Sequence, residues 1–191
     1  MKTITTIIAA AMLMTATFLV LAPPAVAQTP KPKAQPQAAN SSLSKADDEG
    51  IRMTVMDYEK AWNTHDMKLL ATLFRDDAEF INVVGMHWRG RDAIVKAHAI
   101  FHEIMFKDCR FKTDSIETRP LGSDHAIAMW TATQDSYTTP SGQVVPKGQF
   151  KLSLILTKGS EGWRIVHGHN VRIDAEAVKN DPVNSGPKQK P

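Results

Sequence analysis

From Arg110 on the period of the apolar residues is two, and that change constrains the fold more than any composition figure. Ahead of it, Ile51, Val55, Tyr58 and Trp62 are spaced four, three and four, which places them on one face of a helix. Beyond it the alternation becomes two. Strands are predicted over residues 110–119, 124–137, 147–158 and 162–172, with turns at Gly122-Ser123, Ser141-Gly142 and Gly159 to Gly162. No crossover helix separates these strands, so they read as an antiparallel meander following a helical half. The predicted class is α+β, not α/β.

The helical half carries its own punctuation. Ser44 can cap a first helix whose opening turn is acidic, Asp47-Asp48-Glu49. Asn63 to Asp66 breaks that helix, and Asp66 is placed to cap a short second one through Leu69, Leu70, Leu73 and Phe74. A turn is expected at Asp76-Asp77, then a strand over 79–84, a turn at Gly85, a short partner strand through Trp88, and a helix from Arg91 to Met105. Asp66, Asp76 and Asp77 are assigned to caps and turns in preference to a catalytic carboxylate pair.

Both ends differ from this core. Lys2, an apolar run from Ile7 to Leu21, the break at Pro23-Pro24 and the small triplet Ala25-Val26-Ala27 predict a signal peptide over 1–27, cleaved before Gln28. The apolar run is shorter than the roughly 20 residues a membrane span needs, so no membrane attachment is expected after cleavage. The product would be exported, periplasmic or secreted. Residues 28–43, rich in Pro, Ala, Gln and Lys, predict a disordered linker; 44–179 are the expected domain, and 180–191 a disordered tail. Cys109 is the only cysteine, so no intramolecular disulfide can form and the core must hold the fold. Its parity with Phe111 suggests a small apolar filler.

Charge excludes one class of partner. Setting aside Lys2, Lys31, Lys33, Lys188 and Lys190 with Asp181 takes 23 basic and 20 acidic residues to 18 and 19. A near-neutral domain, with no face on which Lys or Arg interleaves with aromatics, has no footprint for nucleic acid.

The block Tyr58-Glu59-Lys60-Ala61-Trp62-Asn63-Thr64-His65-Asp66, followed by Phe74-Arg75-Asp76-Asp77-Ala78-Glu79-Phe80-Ile81-Asn82-Val83-Val84-Gly85 and Trp88-Arg89-Gly90-Arg91, resembles the opening of the nuclear transport factor 2-like superfamily. Within it the motifs are most similar to the ketosteroid isomerase and SnoaL-like polyketide cyclase branch, and to SgcJ/EcaC-type proteins. The resemblance is good from Tyr58 to His98 and weaker, mostly pattern, from Phe150 to Asn170. It implies a cystatin-like cone, with N-terminal helices packed on a curved antiparallel sheet around a conical pocket, and a homodimer through the outer sheet face. An apolar row at Phe150, Leu152, Leu154 and Leu156, with Ala128, Thr131 and Thr133 nearby, is compatible with one helix-covered and one partner-covered face.

The resemblance also implies site residues. Tyr58 falls on the isomerases' oxyanion-donor position; the alternative is a core tyrosine bonded to a backbone carbonyl. The general-base position is Asn82, three residues before Gly85, and an amide cannot abstract a proton. The second oxyanion donor would fall near Gln149, again without an acid. Two of three positions depart from the pattern, which argues against steroid isomerisation by that route.

Histidine is the remaining source of an acid or base near neutrality. At 100° per residue Ile94, His98, Phe101 and Met105 share one arc of their helix, with His102 beside it. His98 is therefore the first candidate for acid, base or hydrogen-bond donor, against the alternative of a satisfied core histidine. Alternation places His167 and His169 on the face of Trp163 and Ile165, with Asn170 on the other, and which face looks into the cone decides whether the two histidines or Asn170 line the pocket. With His98 and His102 they could form a zinc or copper site, although no carboxylate or cysteine joins them. Trp62, Trp88 and Trp130, with Asn82, Phe101, His102 and His169, are the expected lining of a pocket for a flat or apolar molecule.

The resulting expectation is an exported domain that binds a small apolar molecule without established chemistry and without a cofactor, since no dinucleotide or flavin motif is present. The alternatives are a cyclase- or isomerase-type enzyme using His98 and Tyr58, and a histidine-ligated metal protein.

Overall fold

Where the predicted first helix begins, the computed structural model places α1, Lys45–Thr64, with the Ser44 hydroxyl accepting from the amide of Asp47. The structure describes residues 42–184. The expected signal peptide over 1–27, the linker up to residue 41 and the tail from 185 lie outside those residues. Leu43, assigned to the linker, already packs against the core.

α1 ends on His65, whose φ of 57° is left-handed and whose amide reaches back to the Ala61 and Trp62 carbonyls. Asp66 then caps α2, Met67–Leu73, by accepting from the amide of Leu69. β1 runs over Phe74–Ile81 and pairs with β2, His87–Arg89, ahead of α3, Arg91–Ile104. The long strands are β3, Phe111–Pro120, and β4, His125–Gln134, then β7, Gly148–Gly159, and β8, Gly162–Arg172. Between β4 and β7 the chain makes a small hairpin, β5, Tyr137–Thr138, with β6, Val144–Val145. A short α4, Ala175–Lys179, capped by Asp174, follows β8.

The main sheet has the order β2-β1-β8-β7-β4-β3. The meander from β3 to β8 is antiparallel as expected, but β1 lies parallel to β8, so the sheet is mixed. The last strand folds back beside the first, and both then run the same way. The expected break at Asp76-Asp77 is a second difference. Phe74 pairs with Ile165 and Glu79 with His167, so β1 spends five residues where β8 spends two. The surplus bulges outward and leaves Arg75, Asp76 and Asp77 exposed inside the strand. Polar, turn-like composition at that point marks the bulge. The expected strand 124–137 is likewise cut at Gln134, because Tyr137 pairs with Val145 in the hairpin.

The core lies between α1, α3 and the inner sheet face. Ala126, Ala128, Trp130 and Ala132 of β4 and Phe150, Leu152, Leu154 and Leu156 of β7 are all buried, so the apolar row faces the helices. Burying each Leu contributes roughly 1.5–3 kcal/mol. Small residues on β4 leave depth for large ones on β7. Cys109 is buried, its thiol donating to the Asp135 carbonyl at 3.3 Å, and burial pushes its pKa up to about 11. Among the described residues no helix is long and apolar enough to cross a membrane.

Candidate functional site

A cavity of about 280 Å³ opens between α1, α3, the inner sheet face, the 82–86 turn and the β5–β6 hairpin. Its wall is built from aromatic rings: Tyr58 and Trp62 from α1, Phe80 from β1, Trp88 from β2, Phe101 from α3, and Phe106, Phe111 and Tyr137. No Asp, Glu, Lys or Arg lines it. Val83, Val84 and Met86 are exposed at its mouth.

The polar groups at the centre of the wall bond to one another or to the backbone. His98 is buried at the centre, its Nδ1 2.8 Å from the Ile94 carbonyl and its Nε2 2.8 Å from the Tyr58 hydroxyl. The carbonyl can only accept, so Nδ1 carries the proton, Nε2 is the acceptor, and Tyr58 donates to it. Burial lowers the His98 pKa to about 4, opposed by the Ile94 bond, so the ring is neutral at pH 7. Burial also pushes the Tyr58 phenol well above its ordinary range. The Trp62 indole donates to the Cys109 carbonyl at 2.9 Å while its ring stacks on Phe111 at 3.8 Å between centroids. Trp88 stacks on Phe80 at 6.0 Å and meets His98 edge-on.

The structure brings Tyr58, Trp62, Asn82, Trp88, His98 and Phe101 to one cavity. The Asn82 side-chain carbonyl is already used, accepting from the amides of Val84 and Met86 at 3.1 and 2.9 Å to hold the turn at the mouth. Gln149 does not line the cavity and donates to Asp114.

Three expected lining residues are elsewhere. Trp130 is fully buried behind the wall, edge-on to Tyr58 at 5.5 Å, with its indole donating to Thr113. It supports the site without lining it. His102 sits on the far side of Trp62, in a depression shared with His65, Met67 and Glu103. Its Nδ1 is 2.7 Å from Nδ1 of His65, and burial, then the neighbouring His65 and His98, lower its pKa to about 4. His169 is exposed on the outer face. Strand alternation fails there because β8 carries one extra residue: Leu156 pairs with Ile165 but Ile155 with His167. The bulge flips the parity, so Trp163, Ile165, Gly168 and Asn170 look inward and His167 and His169 outward.

The four-imidazole site is therefore not assembled. Among the described residues no group of three or more His, Cys, Asp or Glu is placed to hold a metal ion. Phe80, Phe106, Phe111 and Tyr137, which the sequence does not single out as lining, also face the cavity, and on the last strand it is Asn170, the alternative to His167 and His169, that does so. Phe80 was legible from strand alternation with Ala78, whereas Asn170 depends on the bulge. Its side-chain oxygen is buried with no hydrogen-bond partner among the described residues.

Residues 51–170 match the family described as the SnoaL-like domain. No curated protein matches the chain. Among solved structures, an uncharacterised protein with a cystatin-like fold from Caulobacter vibrioides is 39% identical, covering 74% of this chain and 99% of that one, with a TM-score of 0.71. A nuclear transport factor 2-like protein of unknown function from Pseudomonas putida is 16% identical, over 71% of this chain and 94% of that one, with a TM-score of 0.59. A ketosteroid isomerase-like protein from Erwinia carotovora atroseptica is 16% identical, over 69% of this chain and 99% of that one, at 0.57. The last two show likeness of fold alone.

Proposed function

Since this chain belongs to the SnoaL-like domain family, we propose that its cone serves as a binding site for a small apolar molecule, held without covalent chemistry. The observation that carries this reading is the wall itself: aromatic, uncharged, and with its central tyrosine and histidine bonded to each other. Apolar area removed from water drives such binding, and a few fixed polar groups orient the ligand. No carboxylate stands in the cavity to act as base, and the Tyr58 proton is spent on His98.

A second reading, proton transfer of the cyclase or isomerase type, is favoured by one observation: a neutral imidazole bonded to a phenol at a cavity wall can pass a proton along that bond. His98→Gln separates the two. Loss of turnover by about 10² or more on an identified carbonyl substrate, with binding retained, supports catalysis; turnover changed less than tenfold removes His98 from it.

Export and pairing complete the proposal. The sequence features of residues 1–27 support signal cleavage, and Ile127, Met129 and Ile155, half-buried on the outer sheet face, support a homodimer there. Native mass spectrometry of the protein from the exported fraction tests all three. A chain beginning at Gln28, a dimer mass and a retained organic ligand are expected. An unprocessed, monomeric or persistently ligand-free protein contradicts the corresponding element.

A further inference from the structure

On the far side of Trp62 from the cavity, two imidazoles meet nitrogen to nitrogen. His65 caps the C-terminus of α1 and His102 stands in the last turn of α3, and their Nδ1 atoms are 2.7 Å apart. One proton lies between two such atoms, so one ring donates and the other accepts. His98 has both nitrogens bonded, to Tyr58 and to the Ile94 carbonyl. His102 is as deeply buried, yet its Nε2 has no partner among the described residues and its Nδ1 bonds to another imidazole. Leaving a buried ring nitrogen unpaired costs stability, and packing gives no reason for a second imidazole here. Met67 lines the same depression, with the oppositely charged Glu103 and Lys107.

We propose that His65, His102 and Met67 form a binding site for Cu(I), a soft monovalent cation. None of His98, His167 and His169 takes part. Two imidazoles and a thioether are a donor set that suits copper in this state. The C-terminal ends of α1 and α3 meet at the pair, and each carries partial negative charge that favours a cation. Zinc would need further hard ligands, and among the described residues no group of three His, Cys, Asp or Glu is placed to supply them. Lys107 beside the site also opposes a divalent charge. A first-row metal ion lies about 2.0 Å from an imidazole nitrogen, so the two rings must part by roughly 1 Å. His65 is exposed and hangs from the left-handed cap, which leaves its ring room to swing. As the ion enters, the shared proton passes to an Nε2 atom, both rings become Nε2–H tautomers, and no proton leaves the protein. Burial, then the neighbouring His65 and His98, lower the His102 pKa to about 4, so no second proton competes at pH 7.

The test is anaerobic calorimetric titration of the full folded chain with Cu(I), delivered as its acetonitrile complex, and separately with Zn(II). One Cu(I) per chain is expected with a Kd below about 1 μM, and Zn(II) at least about tenfold weaker. His65→Asn and His102→Phe, checked for folding by circular dichroism, should each weaken Cu(I) binding by about tenfold or more, and Met67→Leu by about threefold or more. Asparagine is chosen at 65 because it tolerates the left-handed backbone. If His102→Phe does not fold, His65→Asn decides. Absence of Cu(I) binding, affinity unaltered in His65→Asn or in Met67→Leu, or Zn(II) bound as tightly as Cu(I) overturns the site. The apolar-cavity reading stands or falls separately, since the pair lies behind Trp62.

Discussion

The hydroxyl of Tyr58 and Nε2 of His98 lie 2.8 Å apart, and the Ile94 carbonyl on the other side of the ring dictates which of the two holds the proton. A single helical carbonyl thereby makes Tyr58 a donor to protein and an acceptor toward the cavity. Tyr58→Phe should destabilise the fold by about 1–3 kcal/mol, because it leaves a buried imidazole nitrogen unpaired. Urea denaturation measures the loss, and a double variant with His98→Phe should cost less than the sum of the two single changes. Additive costs would mean that the bond contributes nothing.

Acid should weaken this protein before its carboxylates titrate. His98 and His102 both have folded pKa values of about 4 against 6.5 in the unfolded chain, so the unfolded state binds protons first. Their contribution is fully present above pH 6.5 and is lost as pH falls through 4. Asp47, held at about 2 by its bonds to Lys158 and Ser44, acts in a lower window, between its ordinary 3.8 and 2. The urea midpoint should therefore fall between pH 7 and pH 4.5, and His102→Phe should flatten the fall. A midpoint constant over that range contradicts the shifts.

Gly168 exists to make room for Phe80. A Cβ at 168 would stand 2.5 Å from Cδ2 of the Phe80 ring and 3.3 Å from Leu154. Gly168→Ala should cost about 1–3 kcal/mol as an overpacked site, and should displace a ring that lines the cavity. Adding Phe80→Leu should recover part of the stability, as thermal unfolding would show. If the double variant is worse than Gly168→Ala alone, the clash is not the cause.

The mouth is apolar where water reaches it. Val84 is 70% exposed and holds no hydrogen bond through its side chain, so Val84→Ser should change stability by no more than about 0.5 kcal/mol. If the mouth helps to bury a ligand, the same change should weaken binding of a small apolar probe by roughly twofold to tenfold. Unchanged affinity would confine binding to the inner wall.

Much of the site is legible in the sequence. Tyr58 and Trp62 share a helical stripe with Ile51 and Val55, and Phe101 with Ile94 and His98, so periodicity alone aims them at one interior. Asn82 was placed at the cavity for its amide, yet its oxygen is consumed by the turn. His102 was one step off the stripe, and that step puts it behind Trp62. His169 was lost to a single inserted residue.

The sequence by itself determined the α+β class, the helix caps at Ser44 and Asp66, the stripe that holds Tyr58 and Trp62 on the first helix and the arc that holds His98 and Phe101 on the later one. These are local properties, set by spacing and by which side chains can satisfy their own backbone. The tertiary structure alone decided that β1 runs parallel to β8, that Asn170 and not His169 faces the cavity, and that the Tyr58 hydroxyl donates to His98. Each depends on how two segments distant in the chain register against each other. A strand's parity has no meaning until its bulges are fixed by a partner, and a hydroxyl's acceptor is not defined until the two segments meet.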